Sequence, residues 1–245
     1  LMRAMGILLL VSGCASSAAT EPLNGSQAAS RSAVSTAETQ SFENSVQSAR
    51  HEALRVARAF ADYRWSGGEE NAFHGFDKWR NWIDTPDQKQ LPDYGWQLDG
   101  KENVGIPYQW GGFSDLRQFE NGIEEGLLAG HLPRKGQSGL TRKAVGVDCS
   151  GLVSRCWGLR SKQSTRSLLR ISVQLSSYDD LLPGDILNLV NNHAMLFVRF
   201  EDSSRQTLHV IEATASKGKV HRSVHERSML MSKGYLPLRY QSFVK

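Results

Sequence analysis

The stretch LLPGDILNLVNNHAMLFVRF, residues 181–200, predicts two antiparallel β-strands joined by a tight turn. Its Leu-Pro-Gly turn cannot continue a helix, and two apolar segments with a period of two follow it, DILNLV (185–190) and HAMLFVRF (193–200). Asn191 and Asn192 separate the segments, and asparagine tolerates the positive φ that a tight hairpin turn requires. This hairpin therefore predicts an antiparallel sheet in the C-terminal part of the chain.

Three more segments with the character of β-strands follow the hairpin: TLHVIEA (207–213), KVHRSVH (219–225) and YLPLRY (235–240). The segments before the hairpin instead show the helical spacing of apolar residues. Helices followed by about five consecutive strands are typical of an α+β fold with an antiparallel sheet, not of an alternating α/β fold.

Upstream of the hairpin, the stretch VGVDCSGLVSRCWGL (145–159) puts Cys149 at the start of an apolar helical pattern. This thiol can be a packed core group, a redox partner of Cys156, or a nucleophile. Geometry excludes the redox pair, because two cysteines two turns apart on one helix are separated by roughly 10 Å, whereas a disulfide requires Cα atoms within about 7 Å. A helix N-terminus favours a thiolate by only about 0.3–1 kcal/mol, so a nucleophilic Cys149 also needs a base.

The candidate bases are the seven histidines of the chain. His193 stands out because it opens a strand directly after a turn, in the sheet on which the Cys149 helix is expected to pack. A third polar group must orient such an imidazole, and the next strand offers His209 and Glu212. These two residues point to opposite faces of the strand, so only one can face the site, and the uncertain register of the strand leaves both open.

Five short motifs, in this order, resemble those of the NlpC family, the papain-like cysteine peptidases of bacterial cell walls: IPYQWGG, VDCSGLVSRCW, LLPGDIL, HAMLFV and HVIEAT. The resemblance covers roughly residues 105–240. It implies a papain-like fold, in which N-terminal helices pack on the antiparallel sheet. It also implies a catalytic triad with Cys149 as nucleophile, His193 as general base and Glu212 as the third residue.

By the same resemblance, Tyr108 matches a tyrosine whose hydroxyl reaches the site, and Asp148 and Ser150 match positions that hold the free amino end of a stem peptide. The implied activity is hydrolysis of an amide bond in peptidoglycan stem peptides, commonly the bond between D-Glu and the diamino acid. The implied partner is therefore peptidoglycan. No metal or organic cofactor is predicted, because His221 and His225 lack the Cys or carboxylate cluster that would complete a metal site.

The sequence departs from the family pattern in two places. Residues 113–147 separate the tyrosine and cysteine motifs, which lie much closer together in the family, and we expect this insertion to lie beside the cleft. Glu212 stands where His, Asn or Gln is more common, which keeps His209 in consideration. Two alternative functions therefore remain: a related cysteine amidase or acyltransferase acting on another substrate, and a catalytically inactive cell-wall-binding lipoprotein.

The N-terminal residues resemble the signal peptide of a bacterial lipoprotein. An apolar run too short to span a bilayer precedes Ser-Gly-Cys, so we interpret residues 1–13 as the signal peptide and Cys14 as the lipidation site. This resemblance implies a location in the cell envelope, anchored in the outer membrane and facing the periplasm. The net charge of +4 is compatible with an anionic polymer or a membrane surface, while the absence of a dense run of Lys and Arg argues against nucleic acid.

The composition divides the rest of the chain into three parts. Residues 14–34, rich in Ser and Ala, are predicted to be a flexible tether. Residues 35–104 are predicted to be a helical N-terminal region that begins at a capping-box pattern, Ser-Thr-Ala-Glu (35–38). The family resemblance implies that residues 105–245 form the peptidase domain. Four aromatic residues of the helical region step by three, as on one face of a helix: Phe73, Phe76, Trp79 and Trp82.

Overall fold

The protein has the α+β architecture that the sequence predicts. The computed structural model describes residues 25–244, except residue 79 and residues 135–139. The described residues contain five α-helices: α1 (Gly25–Ala61), α2 (Leu116–Glu124), α3 (Cys149–Cys156), α4 (Thr165–Arg170) and α5 (Arg227–Ser232). They contain twelve β-strands: β1 (Arg64–Trp65), β2 (His74–Phe76), β3 (Trp82–Asp84), β4 (Asn103–Val104), β5 (Leu128–Ala129), β6 (Ala144–Val145), β7 (Ser172–Gln174), β8 (Ile186–Leu189), β9 (His193–Phe200), β10 (Thr207–Thr214), β11 (Lys219–Glu226) and β12 (Leu236–Tyr240). The chain divides into two compact units, Leu1–Ser41 and Phe42–Lys245, and the candidate site lies entirely in the second.

Six strands form the sheet that carries the site, in the order β11-β10-β9-β8-β12-β7, and every neighbouring pair is antiparallel. The sequence predicts about five of them. β9 runs from His193 to Phe200 as predicted, and Asn191 in the preceding turn has a φ of 63°. The strand missed from the sequence is β7, whose three residues are too few to give a clear alternation.

The central strands of this sheet are buried on both faces. On β9, Ala194 and Leu196 face one hydrophobic cluster, and Met195 and Phe197 face the other. α3 packs on β9 and β10 in the first cluster, where it buries Leu152, and α5 contributes to the second. Because side chains alternate along a strand, burial on both sides explains the nearly continuous apolar run of β9.

The buried carboxylate of Asp185 connects distant parts of the second unit. Asp185 is completely buried and forms ion pairs with Arg50 of α1 and with Arg239 of β12, each at 2.8 Å. Arg50 also donates a hydrogen bond to the carbonyl oxygen of Pro183 at 2.9 Å. Removing one partner from such a network leaves an unpaired buried charge, which typically costs about 3–5 kcal/mol. The network therefore holds this part of α1 against the turn that precedes β8.

The first helix differs from the prediction at both ends. α1 begins at Gly25, inside the predicted tether, and it ends at Ala61, before the end of the helical region predicted for residues 35–104. Residues 14–24 lie outside the described part of the chain, but for residues 25–34 the prediction of a tether is wrong. Ala, Ser and Gln carry small helix-propensity penalties, and an existing helix can be extended by one hydrogen bond per residue. The capping-box pattern at 35–38 therefore lies inside α1 and starts no helix.

Phe76 and Trp82, two of the aromatic residues that step by three, do not share a helix, and residue 79 lies outside the described residues. β2 and β3 form an antiparallel hairpin in which Phe76 pairs with Trp82, with ring centroids 5.1 Å apart. The carboxylate of Asp77 accepts a hydrogen bond from the backbone N–H of Asn81 at 2.8 Å in the intervening turn. Residues on either side of a turn can show the same spacing as one face of a helix. The prediction of helix across residues 62–104 is therefore wrong.

Residues 113–147, predicted as an insertion, contain α2 and the short parallel pair of β5 and β6. The end of this segment lies beside the candidate site, because Val147 forms β-bridges with both Tyr108 and Phe113. The backbone N–H of Gln109 also donates a hydrogen bond to the carbonyl oxygen of Val147 at 3.0 Å. These contacts bring the tyrosine motif directly against the residues that precede α3.

No helix in the described part of the chain combines the length and the apolar character needed to cross a membrane. The signal peptide predicted at residues 1–13 and the lipidation site predicted at Cys14 lie outside the described residues. Both stay predictions from the sequence.

Candidate active site

The N-terminus of α3 presents Cys149 to a cleft. Asp148 caps the helix, because its Oδ1 accepts a hydrogen bond from the backbone N–H of Gly151 at 2.7 Å. Cys149 is the first helical residue, a free thiol that is 7% exposed. A Cβ atom on Gly151 would meet the carbonyl oxygen of Gly112 at 2.1 Å, so this close approach requires glycine. The first N–H groups of a helix lack intrahelical acceptors, so the start of α3 favours a negative charge near Cys149.

His193 approaches Cys149 from the sheet. It is the first residue of β9, and its side chain is 15% exposed. It forms one hydrogen bond with Cys149 and a second, of 2.6 Å, between its Nε2 and Oε2 of Glu212. An ionised carboxylate only accepts hydrogen bonds, so we assign the donated proton to Nε2, which leaves Nδ1 for the thiol. The structure thus brings together the three residues that the sequence analysis named as a triad.

Glu212 is buried among hydrogen-bond donors. Its Oε1 accepts a hydrogen bond from Nε2 of His225 at 2.9 Å and another from the hydroxyl of Ser223, while His193 binds Oε2. Ser223 and His225 were not among the site residues predicted from the sequence. Both lie on β11, the strand next to β10, at alternate positions that share one face. The alternation in KVHRSVH is the signal that could have found them.

The contacts of His193 and Glu212 shift their pKa values in opposite directions. Burial disfavours the charged form of His193, but the hydrogen bonds and charges of Cys149 and Glu212 outweigh burial and raise the pKa of His193 to about 9. Burial raises the pKa of Glu212, whereas the hydrogen bonds from its three donors lower the pKa well below its ordinary value. At neutral pH His193 is therefore charged, and an imidazolium beside Cys149 stabilises a thiolate.

Two tyrosines, Tyr108 and Tyr235, line the same groove as the imidazole and the thiol. Tyr108 is 5% exposed, and burial beside Cys149 and Asp148 raises the pKa of its hydroxyl, which stays protonated and can donate a hydrogen bond. Tyr235 stands edge-on to His193 with ring centroids 6.4 Å apart, and burial raises the pKa of Tyr235 to about 12. Tyr235 was not predicted as a site residue, because the pairing of β12 with β8, which begins at Leu236, brings it to the site.

Cys149 lies between two open grooves. The histidine groove has a volume of about 510 Å3 and is lined by Tyr108, His193, Glu212, His225 and Tyr235. The lysine groove has a volume of about 420 Å3 and is lined by Trp110, Leu140, Asp148, Ser150 and Lys162. Both volumes are typical of small-ligand sites, which enclose about 300–1,000 Å3. An extended substrate can therefore lie in both grooves with its reacting bond at Cys149.

Asp148 and Ser150 lie in the lysine groove, but they already bind a cation of the protein. Nζ of Lys162 is 2.9 Å from Oδ2 of Asp148 and 3.2 Å from the hydroxyl oxygen of Ser150. Lys162 belongs to the loop between α3 and α4 and was not predicted as a site residue. A lysine ammonium therefore occupies the position at which the resemblance implies the amino end of a stem peptide.

His209 lies outside the site. Its Nε2 contacts the carboxylate of Glu201 at the exposed end of β10, so the geometry favours Glu212 over His209 as the partner of His193. His221, which also lines the histidine groove, shares a hydrogen bond of 2.9 Å with Thr214 and donates from Nδ1 to the carbonyl oxygen of Arg222. Burial lowers the pKa of His221, which favours a neutral ring at neutral pH.

The arrangement contains the parts needed for nucleophilic acyl transfer: a thiol, an imidazole hydrogen-bonded to it, and a carboxylate behind the imidazole. Among the described residues, no group of three or more His, Cys, Asp and Glu side chains is arranged to hold a metal ion. Comparisons with models of known protein families, with curated proteins and with solved structures found no match.

Proposed function

We propose that this chain is a cysteine hydrolase that cleaves an amide bond through a covalent intermediate on Cys149. The observation that carries the proposal is the hydrogen-bonded line from Cys149 through His193 to Glu212, with 2.6 Å between the imidazole Nε2 and the carboxylate. A thiol that only packs in the core does not require a hydrogen bond from an imidazole, nor a buried carboxylate that orients this imidazole. The open grooves on both sides of Cys149 give a substrate access to it.

Within that class we propose a papain-like peptidase of the NlpC family, which hydrolyses peptidoglycan stem peptides between D-Glu and the diamino acid. Two features support this choice: the order of the five motifs along the chain, and the packing of the cysteine helix against an antiparallel sheet whose strand β9 begins with the histidine. We also propose a lipid anchor at Cys14 in the outer membrane, with the catalytic domain facing the periplasm, where its substrate lies.

The proposed mechanism begins with the ion pair that forms when the proton of Cys149 passes to His193, and the thiolate of this pair attacks the carbonyl carbon of the scissile amide. The developing oxyanion is stabilised by backbone N–H groups at the start of α3 and by the protonated hydroxyl of Tyr108. His193 then donates its proton to the leaving amine, and a thioester remains on Cys149. His193 next activates a water molecule, which hydrolyses the thioester and restores the thiol. Glu212 orients the imidazole and stabilises its charge in both half-reactions.

The position of His193 also orients the substrate. Since the leaving amine receives its proton from His193, the leaving part of the substrate lies in the histidine groove. The acyl part, which stays on Cys149 as the thioester, lies in the lysine groove.

The decisive experiment is a digestion of peptidoglycan by the purified full chain in detergent, followed by mass spectrometry of the released peptides. We expect cleavage between D-Glu and the diamino acid by the wild type and by Cys156→Ala, the matched control, which removes a buried thiol behind the site. Cys149→Ala is expected to release no product while keeping the circular dichroism spectrum of the wild type.

Each other outcome rejects a stated part of the proposal. The same products from the wild type and from Cys149→Ala would exclude catalysis by this thiol and favour a wall-binding role. Thiol-dependent cleavage at a different amide would keep the class of cysteine hydrolase and reject the bond. Transfer of the acyl group to an added primary amine, without hydrolysis, would identify an acyltransferase.

A further inference from the structure

The carboxylate of Asp148 has no acceptor position left for a ligand. Its Oδ1 accepts hydrogen bonds from the backbone N–H of Gly151 at 2.7 Å and from the hydroxyl of Ser150 at 3.1 Å. Its Oδ2 accepts a hydrogen bond from the backbone N–H of Gly111 at 3.0 Å and binds Nζ of Lys162 at 2.9 Å. A carboxylate offers about four lone-pair sites, and groups of the protein occupy all of them.

The loop around Lys162 is fixed on the C-terminal side of the lysine. The backbone N–H of Gln163 donates a hydrogen bond to the hydroxyl of Ser154 at 2.9 Å, which ties the loop to α3. Ser164 caps the N-terminus of α4 with its side chain. These contacts hold the loop so that the ammonium of Lys162 lines the lysine groove.

The positive end of this ion pair faces the groove. The side chain of Lys162 is 25% exposed, whereas that of Asp148 is 8% exposed and lies deeper. A lysine ammonium has three N–H donors, and among the described residues it meets two acceptors, Asp148 and Ser150. The third donor and the positive charge attract an anionic oxygen and repel a second ammonium.

We propose that Lys162 makes the lysine groove a subsite for a carboxylate of the substrate and excludes a free amino terminus from it. This inference rests on the proposed function and differs from the family resemblance, which implies an amino end at Asp148 and Ser150. Because the acyl part of the substrate lies in the lysine groove, the carboxylate belongs to the residues on the acyl side of the scissile bond. The preferred substrate is an acidic peptide whose amino end is blocked.

The test uses the full chain and three peptides that contain the same bond between D-Glu and the diamino acid. They differ at the amino end of the acyl side, which is a free amine, an N-acetyl group or an N-succinyl group. For the wild type we expect kcat/KM to be highest for the N-succinyl peptide. For the peptide with the free amine, kcat/KM is expected to be at least about tenfold lower than for the N-succinyl peptide, a difference that corresponds to about 1.4 kcal/mol.

Three variants separate the charge of Lys162 from other effects. Lys162→Met removes the ammonium, leaves Asp148 open to a substrate amine, and is expected to abolish or reverse the preference. Lys162→Arg keeps the charge and is expected to keep the order of the three peptides. Lys101→Met, the matched control, removes an exposed lysine that lines neither groove. It is expected to leave kcat/KM for each of the three peptides unchanged. A wild-type preference for the free amine, or an unchanged preference in Lys162→Met, overturns the inference while the proposed function stands.

A second measurement tests the subsite without turnover. The rate constants for alkylation of Cys149 by the anionic reagent iodoacetate and by the neutral reagent iodoacetamide are compared in each variant. Their ratio is expected to fall several-fold in Lys162→Met and to stay constant in Lys101→Met. If the wild type cleaves none of the three peptides, the proposed function is wrong, and this ratio decides the inference: an unchanged ratio in Lys162→Met overturns it.

Discussion

Replacing Glu212 by glutamine tests the electrostatic link between the sheet and the thiol. The substitution keeps the size of the side chain and removes its charge. In the wild type the pKa of His193 is raised from 6.5 to about 9, and the hydrogen bond and charge of Glu212 are among the causes. Loss of a hydrogen bond to a charged group costs about 1.5–3 kcal/mol, and one pKa unit corresponds to about 1.36 kcal/mol. We therefore expect the pKa of His193 to fall by about one to two units in Glu212→Gln.

The same substitution changes the pH dependence of stability. The pKa of His193 is higher in the folded state than in the unfolded state, so its interactions stabilise the fold fully below pH 6.5 and lose this effect as the pH rises through about 9. The pKa of Glu212 is lower in the folded state, so its contribution is present above pH 4.5 and is lost as the pH falls further. The free energy of unfolding should therefore differ most between wild type and Glu212→Gln at about pH 5–6.

The assay is the pH titration of the His193 imidazole by NMR, together with the alkaline limb of kcat/KM for a cleaved peptide. Both midpoints are expected near pH 9 in the wild type and lower in Glu212→Gln. His209→Ala serves as the control, because His209 contacts the exposed Glu201 instead of the site. An unchanged His193 midpoint in Glu212→Gln, or an equal shift in His209→Ala, would refute the reasoning.

Asp185→Asn should lower the free energy of unfolding by about 3–5 kcal/mol in urea titrations, because it leaves two arginines without their buried counter-ion. Asp179→Asn removes an exposed ion pair and should change stability little, so an equal loss in both variants would contradict the role of Asp185. Iodoacetamide at neutral pH should alkylate Cys149 and spare Cys156 in the native protein, because burial raises the pKa of the Cys156 thiol. Peptide mass mapping measures this selectivity, and equal modification of both thiols would show that His193 does not activate Cys149.

The features that the sequence predicts well are local ones. The period of two and the asparagine turn give the bounds of β9, and the apolar pattern after Asp148 gives the start of α3. The same patterns mislead across residues 62–104, where a hairpin brings Phe76 onto Trp82 with a spacing that also suits a helix face. Strand β7 is missed because three residues carry too little pattern.

The sequence by itself determined the chemistry available: a thiol at a helix start, a histidine at a strand start, and two candidates for the third residue. Only the tertiary structure shows which of those candidates contacts His193. The pairing of β10 with β9 shifts register between His209 and Val210, and a shift of this kind changes which residues meet the neighbouring strand. With that register His209 contacts Glu201 and Glu212 contacts His193.

The ion pair between Lys162 and Asp148 is likewise visible only in the tertiary structure. A long lysine side chain in a loop has no period or spacing that predicts its partner, because its position depends on how α3, α4 and the groove wall pack together. The sequence therefore determined which groups can react, while the packing of distant segments decided which charges surround them.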